Sequence, residues 1–230
     1  MKIKINEQEY DLPSSLAAVT LQQRIDFDKQ YGKELRKELA KIIDMKDERL
    51  KELEFTDYHC KLACQSLSFF AGIPLDVVYN TAIEEVLGLY HNLMKGYAED
   101  YNWREKEFEL KSEFAWEDAI WELAPPELKQ ESKMTFGELI IAKQTIQNMM
   151  EFGDGQWGPL LPLCCIYFRK KGEAFSEEFT NEDSDRYKLM KTLPLEYAIH
   201  VAFFLSGSLS TYLNTFQYSS QVEDREPANS

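Results

Sequence analysis

The chain is written twice, and that constrains its fold more than any single residue does. Near the start, Ile3, Ile5, Asn6-Glu7, Tyr10, Asp11, Leu12 and Pro13 precede Thr20-Leu21 and a helical run. The same order returns as Phe114, Trp116, Glu117-Asp118, Trp121, Glu122, Leu123 and Pro125, ahead of Thr135-Phe136 and a second helical run. Four apolar positions match at one constant offset: Ile3 with Phe114, Ile5 with Trp116, Tyr10 with Trp121 and Leu12 with Leu123. Such self-similarity predicts two copies of one supersecondary unit.

Each unit opens on a strand pattern. Alternation puts Ile3 and Ile5 on one face, Asn6-Glu7-Gln8 turns the chain, and Glu9 to Leu12 returns it to Pro13. That is a short β-hairpin. Thr20 with Gln23 fits a capping box, in which two side chains satisfy backbone N–H groups at a helix start, and Thr135 with Glu138 repeats it. The first helix then carries Leu21, Ile25 and Phe27; the second carries Phe136, Leu139, Ile140 and Ile146.

The charged stretch Lys33 to Glu54 has Leu35, Leu39, Ile42 and Ile43 at helical spacing. It extends the helix or forms a hairpin with the next one, and reads as a solvated face, with a partner-binding arm as the alternative. Further helices are expected over His59–Ala71, stopped by Gly72 and Pro74, and over Leu160–Lys171, stopped by Gly172. Two more follow: Leu75–Met94, with Thr81 and Glu84 as an internal cap, and Pro194–Leu213, with proline in its first turn. The expected fold is mainly α (α+β). It has two tandem similar units at 1–105 and 106–216, each a hairpin followed by three to four helices, and a frayed tail at 217–230. The units are expected to pack through Leu75–Met94 and Pro194–Leu213.

Lys and Arg number 26 against 40 Asp and Glu, a net charge of −14. Such a surface repels phosphate backbones and anionic lipid, which argues against nucleic acid and membrane partners and leaves basic proteins open. No run approaches the roughly 18 apolar residues of a membrane span. Met1-Lys2-Ile3-Lys4 opens straight into the strand pattern, so a cytoplasmic location is expected. Cys60, Cys64, Cys164 and Cys165 are then expected as reduced, buried thiols.

Chemistry-bearing patterns are sparse. His59, Cys60 and Cys64 lie within one and a half helical turns, short of a four-ligand zinc set. His59, His91 and His200 sit mid-helix, where a lone histidine is ordinarily structural. The carboxylate pairs Glu84-Glu85, Glu177-Glu178 and Asp183 with Asp185 say little in so acidic a chain. No dinucleotide, P-loop, zincin, hydrolase or calcium-loop spacing occurs. No catalytic residue, metal ligand or cofactor is therefore expected. The aromatics remain: Trp103, Trp116, Trp121, Trp157, Phe203 and Phe204. Core filling accounts for most; the alternative is an exposed anchor for a protein partner. Each hairpin also leaves a sheet edge that a partner strand could extend.

Met134-Thr135-Phe136-Gly137-Glu138, and Pro194-Leu195-Glu196-Tyr197-Ala198 through Phe203-Phe204, carry a resemblance. With them the unit looks like small tailed-bacteriophage proteins encoded among virion morphogenesis genes, either tail assembly chaperones or neck and tail structural proteins. The resemblance implies a non-enzymatic role through contacts with other phage structural proteins, in the host cytoplasm or the virion, with homo-oligomers allowed. The charge offers an alternative, an acidic regulator or inhibitor that binds a basic host or phage protein. A third class, an enzyme with a helical active site, needs polar groups converging on a His or Cys.

Overall fold

The computed structural model describes residues 1–101, 113–123, 140, 144, 157–199 and 201. They are mainly helical, with two small sheets.

Strands β1 (Lys2–Ile5) and β2 (Gln8–Asp11) pair antiparallel, with Ile3 opposite Tyr10 and Ile5 opposite Gln8. Gln8, expected in the turn, is thus the first residue of the returning strand. Strands β3 (Glu113–Trp116) and β4 (Ala119–Leu123) repeat the arrangement, with Phe114 opposite Trp121 and Trp116 opposite Ala119. Both loops have two residues, and both residues have positive φ: 49° and 68° at Asn6-Glu7, 48° and 55° at Glu117-Asp118. That is the hairpin turn whose twist matches the flanking strands. The left-handed conformation costs a non-glycine residue roughly 1–2 kcal/mol, so the strand pairing and the buried faces hold these turns in place.

The expected capping box is formed at Thr20. Gln23 N donates to Thr20 Oγ1 at 3.2 Å and Thr20 N to Gln23 Oε1 at 2.9 Å, opening α1 (Leu21–Phe27). Leu21, Ile25 and Phe27 are all buried. A π-helical turn, Asp28–Gly32, leads into α2 (Lys33–Ile43), which folds back on α3 (Glu48–Phe70) as a helical hairpin. The third helix starts at Glu48 rather than His59, because the Asp47 carboxylate accepts from the N–H groups of Arg49 and Leu50 at 3.0 and 3.2 Å. It ends at Phe70, and Gly72, just past the Ala71 cap, has the φ of +66° that suits a glycine beyond a helix end.

Two expected helices are interrupted. Leu75–Met94 falls into α4 (Leu75–Tyr79) and α5, which starts at Ile83 and runs to Tyr101. Thr81 Oγ1 donates back to Val77 O at 2.8 Å, closing the first helix instead of capping the second. Leu160–Lys171 becomes α6 (Leu160–Tyr167) followed by β5 (Phe168–Lys170), a third strand beside β4. Phe168 lies opposite Leu123 and Arg169 opposite Glu122. Pairing with an open sheet edge overrides the helical pattern there. Helix α7 (Asp185–Met190) is capped by Ser184, and another helix begins at residue 195. Pro194 stands just before that helix, bridged to Thr20.

Each hairpin roofs a different core. Ile5, Tyr10 and Leu12 pack with Ala63, Cys64, Leu67, Ile73 and Val78. Phe114, Trp121 and Leu123 pack with α6, Met190, Leu193 and Leu195. All but one residue of α6 are buried, as befits a helix apolar all round. Leu16, Val19, Leu21 and Ile25 cross from the first half into the second core. Backbone bonds fix that seam: Leu21 N to Leu193 O and Leu195 N to Val19 O, both 2.8 Å. Among the described residues this seam joins the halves; most of the Pro194–Leu213 segment expected to meet Leu75–Met94 lies outside them. Phe27, Leu35, Ile42 and Tyr58 form a third cluster, and Phe70 packs against all three. The 105/106 boundary, the Thr135–Glu138 box, Phe136, Leu139, Ile146 and the tail lie outside the described residues, while Ile140 is exposed.

Candidate interaction surfaces

Trp121 is fully buried, so it is a core residue and not an exposed partner anchor. Its Nε1 donates to Trp116 O at 2.8 Å. The Arg186 guanidinium stacks over its ring at 4.6 Å and over Phe179 at 4.3 Å. Arg186 also donates to Phe168 O at 3.1 Å and to the Glu173 carboxylate. This clamp seats β5 against β4. Burial alone would raise the Glu173 pKa, but the hydrogen bonds from Arg186 and from Lys170 N hold it below the ordinary glutamate value. Trp116 is half-buried with its ring 5.2 Å from Trp121. Trp157 is half-buried under the Arg24 guanidinium, 4.8 Å from its ring. Trp103, Phe203 and Phe204 lie outside the described residues.

Cys64, Cys164 and Cys165 are buried and Cys60 is half-buried. Burial pushes the Cys165 thiol up to about 12 and Cys164 well above its ordinary value. His59 and His91 are exposed on helix faces, and His200 lies outside the described residues. Among the described residues no group of three or more His, Cys, Asp or Glu is placed to hold a metal ion. Glu177, Glu178, Glu182, Asp183 and Asp185 are all exposed. Ser176 and Ser184 cap the two short helices here, where negative charge is favourable.

The apolar surface is elsewhere. At the tip of the α2–α3 hairpin Ile43 is 55% exposed, Leu50 45% and Leu53 65%. Leu50 and Leu53 are three apart on one helix face. Lys51 Nζ donates to Ile43 O at 3.0 Å and ties the two helices together at this end. At the base, Lys61 reaches Glu38 at 2.8 Å and Glu34 at 2.9 Å, and these hydrogen bonds push its pKa up to about 12. From Lys33 to Glu54 seven basic residues balance seven acidic ones. The arm is therefore neutral, and the net charge of −14 is carried by the rest of the chain. Sequence reasoning passed over Leu50 and Leu53 because the stretch reads as charged throughout. The signal available was two leucines three apart, sharing one helix face inside the charged run.

The sheet edges are unequal. The edge of β4 that pairs outward is filled by β5, whereas among the described residues β2 has no third strand. No family model, curated protein or solved structure matches the chain.

Proposed function

We propose that this chain acts through protein–protein contacts, as a non-enzymatic structural or assembly component in tail or neck morphogenesis. The phage setting comes from the resemblance carried by its second half. The observation that supports contact-driven action is the neutral helical arm with Ile43, Leu50 and Leu53 exposed at its tip. Burying a leucine or isoleucine fully is worth about 1.5–3 kcal/mol. These three are roughly half exposed, so covering them would contribute about 3 kcal/mol in all, or about a hundredfold in affinity. The two hairpins, alike in turn and register, further support a tandem duplication, two copies of one unit in one chain.

The test is capture of cross-linked partners from phage-infected cells by the tagged full-length chain, beside a Leu50→Glu, Leu53→Glu double variant of unchanged thermal midpoint. Portal, neck or tail proteins held by the wild type and lost by the variant are expected. An empty capture, or equal capture by both, overturns the reading. A second reading, an acidic regulator of a basic protein, is favoured by the exposed carboxylates from Glu177 to Asp185. Contacts through the tip should survive high salt, whereas contacts through those carboxylates should weaken steeply with it.

A further inference from the structure

We propose that the open edge of the first hairpin, along β2, is a docking site for an extended, basic segment of a partner protein. Met1 and Leu12 exchange backbone bonds, Met1 N to Leu12 O at 2.7 Å and Leu12 N to Met1 O at 2.8 Å. An antiparallel ladder alternates bonded and non-bonded pairs. Tyr10 and Gln8 therefore bond inward to β1, while Glu9 and Asp11 aim their N–H and C=O groups away from it. Both residues are exposed, and among the described residues none makes a backbone bond to these outward groups.

The second hairpin shows what such an edge accepts. At the positions of Glu9 and Asp11 it has Ile120 and Glu122. Lys171 N donates to Ile120 O at 2.8 Å, and Glu122 lies opposite Arg169. The occupant is a short antiparallel strand, Phe168-Arg169-Lys170, with its apolar residue opposite Leu123 and a basic residue opposite the acidic one. The next residue, Lys171, bonds Glu113 at 2.9 Å across the same face. On the first hairpin Lys2 lies opposite Asp11 and Lys4 opposite Glu9. A basic side chain beyond Asp11 would continue that alternation of sign.

Self-pairing is disfavoured. Two copies of β2 side by side would set Glu9 against Asp11 twice, and like charges directly opposite are destabilising. The occupant is therefore a foreign strand with an apolar residue opposite Leu12 and a basic residue opposite Asp11. Backbone bonds would supply its affinity and alternate side chains its specificity. The proposal deepens the protein-contact reading above and rests on it, at a site separate from the helical tip.

The probe is a synthetic peptide of residues 166–172, beside a control in which Arg169, Lys170 and Lys171 are glutamates. The readout is amide hydrogen exchange in the full-length protein. The basic peptide should slow exchange at Glu9 and Asp11 and leave Tyr10, already bonded inward, unchanged. Protection confined to Ile120 and Glu122 would mean exchange with β5 and overturn the proposal. Glu9→Pro removes an outward donor and no ladder bond, and should weaken the peptide about tenfold or more. Asp11→Lys, which leaves the backbone intact, should do the same if the proline variant does not fold. Equal binding of the acidic control, or wild-type binding by both variants, overturns the proposal. Phage partners retained by Glu9→Pro but lost by the tip variant would remove the edge and keep the assembly role. Peptide protection at Glu9 with no phage partner captured would do the reverse.

Discussion

Gly32 offers a test of the packing that aims the helical arm. It sits at the end of the π-helical turn with helical dihedrals, φ −60° and ψ −38°. In an ordinary helix interior, Gly→Ala stabilises by about 1 kcal/mol. Here an added Cβ would run into Asp28 Oδ1, and would lie 2.8 Å from Asp28 Cγ and 2.9 Å from Arg36 Nη1. Asp28 is a short side chain, nearly buried, and paired with Arg36 at 2.8 Å. It must swing off its partner to make room. Leaving a mostly buried carboxylate unpaired costs about 1–3 kcal/mol, so Gly32→Ala should destabilise by about 1 kcal/mol net. In an Asp28→Ala background only the flexible, exposed end of Arg36 remains in the way, and it can move aside, so the same substitution should stabilise by about 1 kcal/mol. The expected coupling is about 2 kcal/mol, read from urea unfolding of the four proteins of a double-mutant cycle. A stabilising Gly32→Ala in both backgrounds, with no coupling, would refute the assignment of Gly32 as the space that Asp28 occupies.

Other consequences are as direct. Glu7→Gly should raise stability by about 1 kcal/mol in thermal unfolding, because φ of 68° strains glutamate and not glycine. Glu173 has a folded pKa below the ordinary 4.5, so its contribution is complete above that pH and is lost as pH falls through the folded value. Glu173→Gln should lower stability by about 2 kcal/mol at neutral pH and flatten the acid limb of a stability–pH curve. Of the four thiols Cys60 should react first with a disulfide reagent, while Cys64, Cys164 and Cys165 should react only at the rate of unfolding.

The hairpins were legible because period-two alternation, a turn pair and a constant offset all point the same way. The Thr20–Gln23 box was legible for a local reason too, since both partners lie within four residues. The failures are non-local. Phe168-Arg169-Lys170 follows a helical run without a break, and only the exposed edge of β4 draws it into a strand. Trp121 looks like an interface aromatic by type. Its ring is covered by the guanidinium of Arg186, far along the chain, which also lies over Phe179. Leu16 to Ile25 belong by sequence to the first hairpin, yet they bury into the second core because Leu193 and Leu195 offer the backbone bonds.

The difference between the two edges has a local origin. In the second half the helix ahead of the sheet stops at Tyr167, and the next three residues fill the edge of β4. Under the tandem-copy proposal the segment ending at Gly72 is the rough counterpart of the one ending at Gly172, and it stays helical through Phe70. Phe69 and Phe70 are held there by the Phe27 ring, at 5.5 and 5.0 Å between centroids, and Phe70 also touches the other two cores. Drawing those residues out to pair with β2 would dismantle the contact on which three clusters converge. Under the same proposal, the aromatic knot at Phe27 keeps that counterpart from covering β2. Under the docking proposal, this is what leaves Glu9 and Asp11 available to a strand from another protein.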